Sequence, residues 1–329
     1  GEVSEQLGQA VDWAKERLHG AKEQIAQVES RAKYAVAHVS EQTQEGLGVV
    51  DRWLRKTAKE RPLLVVGSSK GNLNSSWVKN EWSRFLKIRK SDASKMIIPC
   101  YIDMFYPRVG MAMVRIIEKL GNKIVCPESP ACCGQPAFNT GYWDESRALA
   151  VKVLAQLKDA EVVVIPSGSC GAMIKVFYPV LFAGTPQESL AKEVSAKCYE
   201  FAQFLVDKLG VADLGAKFPH RVTYHDGCHS LREMNIYEAP RKLLRHVAGL
   251  ELVEMRQTVC CGFGGTFSAK FPAISTAMGE VKCDLAAETN AEYIVSSDSS
   301  CLMHIQGLID RQRRKLKTIH LAEVLAGDH

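Results

Sequence analysis

The chain has 329 residues, 46% of them hydrophobic, with a formal net charge of +5. The length exceeds one average domain, and the apolar share excludes wholesale disorder. No apolar run reaches the roughly 18 residues of a spanning helix, and the densest basic stretch, "DRQRRKLK" at 310–317, has no aromatic platform and reads as a solvated helix end, not as a nucleic-acid surface.

Residues 1–60 predict a helical arm. They contain no proline, and Val11, Ala14, Leu18, Ala21, Ile25 and Val28 follow the three-four spacing of one helix face. The opening residues are polar and lack the apolar stretch of a secretory signal, so a cytoplasmic chain is expected. Residues 61–98 change character: "RPLLVVGSS" predicts a short strand, and "SSWVKNEWSRFLKIRK" a helix capped by Ser75 or Ser76.

From "KMIIPCYI" onward, strand and helix patterns alternate to the end. Such alternation predicts an α/β fold with parallel sheets, here two Rossmann-like halves preceded by the helical arm. The halves are expected at 99–186 and 219–329. Between them, "QESLAKEVSAKCYEFAQFLVDKLG" predicts one long amphipathic helix over 187–210, within a link at 187–218.

Eleven cysteines all lie at or after Cys100, and eight of them repeat. Cys100 precedes Cys132 by 32 residues, as Cys228 precedes Cys260; Cys133 precedes Cys170 by 37, and Cys261 precedes Cys301 by 40. Each half therefore reads Cys, Cys-Cys-Gly, Cys, with the last cysteine closing a hydrophobic strand pattern. Parallel sheets gather ligands beyond the carboxyl ends of their strands, so each set of four is expected to converge. Four converging thiols in a reducing compartment indicate a metal. Adjacent cysteines reach two irons of a cluster more readily than one zinc ion. The sequence thus favours iron–sulfur, and zinc stays open for the first half.

Gly134 and Gly262, after each pair, let the backbone turn sharply and point N–H groups at sulfur. His225, His229 and His304 flank the second set and are candidates to support it; Asp226 and Arg232 lie close by. The first set has Tyr101, Asp103, Gln135 and Asn139 instead, so the two sites are expected to differ. Cys126, Cys198 and Cys283 read as core residues.

The stretches "IPCYIDMFYPRVG", "CCGQPAFNTGY", "PSGSCGAMI", "YHDGCHSLR", "CCGFGGTFSAK" and "SSDSSCLMHI" resemble the cysteine-rich CCG domain family, from about residue 95 to the end. Its members include a subunit of heterodisulfide reductase, the iron–sulfur subunit of glycolate oxidase, and the iron–sulfur proteins of L-lactate utilisation, which the chain looks most like. The resemblance implies one or two [4Fe–4S] clusters on Cys228, Cys260, Cys261 and Cys301 and on Cys100, Cys132, Cys133 and Cys170. It also implies electron transfer from lactate or a related 2-hydroxy acid, and further iron–sulfur subunits as partners. Nucleic acid is not expected as a partner; peripheral membrane association is compatible with this reading. The family pattern ends in Cys-x-x-Cys, whereas here Ser167 and Asp298 take the first of those positions, leaving four thiols per half. A zinc-stabilised scaffold is the alternative. Residues 61–104 also resemble a fragment of a bacterial TIR domain, which implies Glu81 as the catalytic residue of an NAD hydrolase. No nicotinamide fingerprint or flavin motif is evident.

Overall fold

The computed structural model describes residues 94–127 and 132–327. The expected helical arm, most of the TIR-like stretch and Glu81 lie outside the described residues.

Two parallel four-stranded sheets form the frame, as the alternation predicts. The first contains β1 (Ser94–Met96), β2 (Ile124–Val125), β3 (Val163–Ile165) and β4 (Cys198–Glu200), ordered β2-β1-β3-β4. The second contains β5 (Arg221–Tyr224), β6 (Glu251–Leu252), β7 (Tyr293–Ser296) and β8 (Lys317–His320), ordered β6-β5-β7-β8. The orders match strand for strand, so the sequence repeat is a repeat of topology. In each, the chain goes from its first strand to one side and then returns to the other, which opens a crevice beyond the strand ends.

Both faces of each sheet are covered, so the central strands are apolar throughout. Along β1 and β3 the side chains alternate between two cores. Met96 and Val164 join an inner core shared by both halves, whereas Val163 and Ile165, with Ile97 just after β1, face an outer one. The inner core is filled by helices from both halves, with Pro107–Lys119 packed against Leu321–Ala326 and Glu238–Arg245 also contributing. Trp143–Leu157 and Glu188–Ala196 cover the outer face of the first sheet, and Pro272–Glu288 and Ser299–Arg311 that of the second.

The fourth strand of the first sheet departs from the sequence reading. The predicted helix over 187–210 is broken: Glu188–Ala196 is helical, Cys198–Glu200 is an edge strand, and helix resumes at Phe201. Cys198 is buried, as expected of a core residue, but on a strand. Parallel pairing with β3, Val163 opposite Cys198 and Ile165 opposite Glu200, overrides a composition that favours helix. Glu200 then caps the resumed helix, its Oε2 accepting from the N–H groups of Ala202 and Gln203 at 2.8 and 3.2 Å.

Candidate metal centres

The first strand of each half runs into a helix that begins on a cysteine. Cys100 opens Cys100–Phe105 after β1, and Cys228 opens Cys228–Arg232 after β5. The adjacent pairs come after β2 and β6. Cys170 and Cys301 stand in the first turns of Gly168–Ala172 and Ser299–Arg311, a few residues beyond the strand ends where the sequence pattern put them.

The eight sulfurs meet in two groups of four. Cys132 lies in hydrogen-bonding contact with Cys100 and Cys133, and Cys133 donates its one proton to Cys170 at 3.3 Å. In the second half Cys260 lies in hydrogen-bonding contact with Cys228 and Cys261, and Cys261 with Cys301, all as free thiols. These contacts set the thiol acidities. Hydrogen bonding with Cys100, then with Cys133, pulls Cys132 well down, and hydrogen bonding with Cys228, then with Cys261, does the same to Cys260. Their donors Cys100 and Cys228 are pushed up. Each group thus holds one anionic sulfur among protons shared over short distances, and a metal that displaces those protons would satisfy all four sulfurs at once.

The glycine after each pair is required twice over. Gly134 and Gly262 have φ of +83° and +89°, in the left-handed region. A Cβ on Gly134 would also lie 2.8 Å from Ser146 Oγ, and one on Gly262 2.4 Å from the Ser275 carbonyl oxygen. The turn aims backbone at sulfur: Gly134 N–H donates to Cys132 Sγ at 3.5 Å, Gly262 N–H to Cys260 Sγ at 3.4 Å, and Phe263 N–H to Cys261 Sγ at 3.5 Å. A serine hydroxyl holds each turn from behind, Ser146 donating to Gly134 O at 3.0 Å and Ser275 to Gly262 O at 2.8 Å. Four soft sulfur donors, partly shielded from water and met by backbone N–H groups, fit an iron–sulfur cluster.

This doubled arrangement coincides with what known proteins share. The family model described as a cysteine-rich domain, CCG, matches residues 95–175 and 222–306, one four-sulfur group in each span. The chain belongs to the cysteine-rich CCG family. Lactate utilization protein A of Geobacillus kaustophilus is 46% identical over 232 residues, 70% of this chain and 97% of that protein. The protein of the same name from Oceanobacillus iheyensis is 44% identical, over 70% of this chain and 95% of its own length. Among solved structures, a hypothetical protein from Helicobacter pylori aligns with a TM-score of 0.47 at 12% identity, over 80% of this chain and 55% of that one.

The two CCG halves differ around their sulfurs. Lys282 is buried on the helix Pro272–Glu288, its Nζ 3.7 Å from Met255 Sδ. Burial pulls its ammonium down, while Cys261, Asp226, Cys301 and Cys260 hold it up. The matching position in the first half, counted from the paired serines Ser275 and Ser146, is the buried Val153. Lys282 was not singled out from the sequence; its signal was a lysine on the apolar stripe that includes Cys283 and Ala286.

The predicted histidines separate. His225 is fully buried and its ring lies against the sulfurs of Cys261 and Cys301, within 4.8 Å. Burial, helped by the Lys282 charge, lowers it to about 3, so the ring is neutral. His229 instead lies 3.3 Å from Glu233 Oε2 and edge-on to Phe177. His304 Nε2 approaches Ser275 O at 3.4 Å and its ring packs near Phe263, so it braces the Gly262 turn. Asp226 is taken by Arg241, which holds it through two bonds of 2.8 and 2.9 Å and Glu254 through two more. Arg232, Asp103 and Asn139 are exposed. Gln135 donates to Ser169 O at 2.9 Å and so fixes the loop that carries Cys170. Cys126 lies half-buried against the inner core, and Cys283 is buried in its helix, as expected of packing residues.

Both centres lie along one seam between the halves. Tyr101, next to Cys100, meets Phe263, two residues past Cys261, edge to face at 5.6 Å between ring centroids. Asp298 caps Ser299–Arg311 by accepting from Ser300 N at 3.2 Å, and its second oxygen crosses the seam to accept from Ser169 N at 3.0 Å and Ser167 Oγ at 3.3 Å. Gly168 sits so close to Ser230 that a Cβ would fall 1.6 Å from its Oγ.

Proposed function

We propose that this chain is the iron–sulfur electron-transfer subunit of an L-lactate, or related 2-hydroxy acid, oxidation system. The observation that carries it is the pair of four-sulfur groups at matched positions beyond the strand ends of two repeated sheets. The lactate utilization names of the relatives support the pathway assignment. Cys100, Cys132, Cys133 and Cys170 hold one centre, and Cys228, Cys260, Cys261 and Cys301 the other. When bound, an iron–sulfur cluster supplies a one-electron carrier.

The chain's own residues do the rest. Gly134, Gly262 and Phe263 direct N–H dipoles at cysteine sulfur, which stabilises negative charge there. Lys282 adds a buried positive charge at the second centre. The Tyr101–Phe263 contact and the Asp298 bridge hold the centres in one rigid setting, suited to passing an electron across the seam. Further iron–sulfur subunits deliver and accept the electrons. Among the described residues no helix is long and apolar enough to cross a membrane, and the proposed place of work is the cytoplasm.

The test is anaerobic purification with iron, zinc and sulfide assayed beside the visible spectrum. About eight irons and eight sulfides per chain, bleaching with dithionite and halved in both Cys133→Ser and Cys261→Ser, is the expected result for two four-iron centres. About four irons, lost in one variant only, means one loaded half and keeps the reading. Zinc without sulfide overturns it and leaves a zinc-held scaffold.

A further inference from the structure

We infer that His225 binds the metal of the second centre directly, together with Cys261 and Cys301, so that the two halves hold chemically different centres. The inference rests on the proposal that these sulfurs hold a metal centre.

His225 is fully buried, and neither Nδ1 nor Nε2 has a hydrogen-bond partner among the described residues. An imidazole stripped of water on both nitrogens forfeits its hydration with nothing in return. Such groups are few in a folded protein, and each calls for an explanation such as a bound ion. The backbone does not leave it free to turn away. His225 N–H donates to Val295 O at 2.8 Å, and its carbonyl accepts from Ser296 Oγ at 2.9 Å. That pins the residue to the end of β5, with a ring nitrogen and the Cys261 and Cys301 sulfurs mutually within 4.8 Å, close enough to share one metal ion.

The first half supplies an internal control. Three residues before Cys228 stands His225; three before Cys100 stands Ile97. The two are structurally equivalent, for Ile97 N–H donates to Val164 O at 3.2 Å just as His225 N–H donates to Val295 O. Ile97 is buried and packs in the outer core. The same backbone position therefore serves packing in one half and carries two unmet nitrogens in the other. Of the other histidines near the second centre, His304 has Ser275 as a polar neighbour, and His229 Nδ1 lies 3.3 Å from Glu233 Oε2 without hydrogen-bond geometry, so His225 is the one described histidine with both ring nitrogens buried and unmet. Nor can the residue that takes the place of a fifth thiol serve, because the Asp298 carboxylate is engaged by Ser300 and Ser169. A nitrogen ligand at the second centre that the first centre lacks would give the two centres different potentials.

The experiment uses the full chain, prepared anaerobically with histidine labelled at the ring nitrogens with 15N. Pulsed electron paramagnetic resonance of the dithionite-reduced protein reads nitrogen bound to the metal. The expected result is a directly coordinated 15N signal in the unsubstituted chain, kept in His229→Gln and His304→Gln and lost in His225→Ala. The midpoint potential of the second centre should shift in His225→Ala while that of the first stays unchanged. Iron and sulfide present with no coordinated nitrogen in the unsubstituted chain overturns the inference and leaves the iron–sulfur reading intact. This outcome does not depend on whether His225→Ala folds. If the metal proves to be zinc, the iron–sulfur reading fails. The His225 inference is then decided separately by X-ray absorption at the zinc edge in a Cys132→Ser/Cys133→Ser chain. A nitrogen among the neighbours supports it, and sulfur alone overturns it.

Discussion

Asp298→Ala tests whether one carboxylate ties the two centres into a single body. The substitution removes two things at once. It removes the N-cap of Ser299–Arg311, where Oδ1 accepts from Ser300 N, worth about 1 kcal/mol. It also strands the Ser169 N–H, which donates to Oδ2 across the seam at 3.0 Å, at about 1–3 kcal/mol. The sum is roughly 2–4 kcal/mol, or a fall of about 5–15 °C in Tm for a unit of this size. The assay is urea unfolding of metal-free protein, held apo with chelator so that metal binding does not mask the change. Asp298→Asn should fall between, since its one carbonyl oxygen keeps the cap while its amide faces the Ser169 N–H. In a double-mutant cycle, Ser167→Ala should couple to Asp298→Ala, because Ser167 Oγ donates to the same oxygen at 3.3 Å. A loss under about 0.5 kcal/mol for Asp298→Ala, the size of an ordinary surface change, would refute the bridge.

Further outcomes follow from other buried contacts. Glu200 is buried and burial lifts its carboxyl to about 7, so its favourable term is present below the unfolded value near 4.5 and is lost as pH rises through about 7. Unfolding free energies measured from pH 4 to 8 should show Glu200→Gln gaining roughly 3 kcal/mol on the parent chain across that window; parallel curves would contradict the assignment. Gly168→Ala should destabilise by more than about 2 kcal/mol because its Cβ meets Ser230 Oγ; Ser230→Gly should restore most of this and Ser230→Ala less, as read by thermal melts. Lys282→Met removes a buried ammonium whose hydrogen-bonding neighbour is Met255 sulfur. It should raise apo stability by about 1–3 kcal/mol yet speed loss of the second centre's metal to chelator, and equal release rates would exclude a charge role for Lys282.

Much of the site was legible in the chain itself. Cysteine spacing alone paired Cys100 with Cys228 and the Cys-Cys-Gly runs with each other, because a duplicated strand-helix unit keeps the chain length between its strand ends. The glycines were legible too, since a turn that aims N–H groups at the sulfur just before it leaves no room for a side chain. The histidines were not separable. His225, His229 and His304 all lie near the cysteines in sequence, and only packing decided that His229 stands beside Glu233, His304 beside Ser275, and His225 against sulfur. Lys282 was hidden for a related reason. A lysine on a helix is ordinarily solvated, and that this one is buried beside Met255, within the electrostatic reach of the second set of thiols, depends on how Pro272–Glu288 lies on the sheet.

By itself the sequence determined the α/β class, the duplication and the two sets of four thiols, because these depend on local periodicity and on residue identity. That the two sites differ was also expected from the sequence; the tertiary structure decided the edge strand β4, the seam, and which residues make the sites differ. Cys198–Glu200 carries helix-forming neighbours and becomes a strand because β3 offers unpaired backbone beside it. Ile97 and His225 occupy the same backbone position, and it is the surroundings folded around each that make one a packing residue and leave the other facing Cys261 and Cys301.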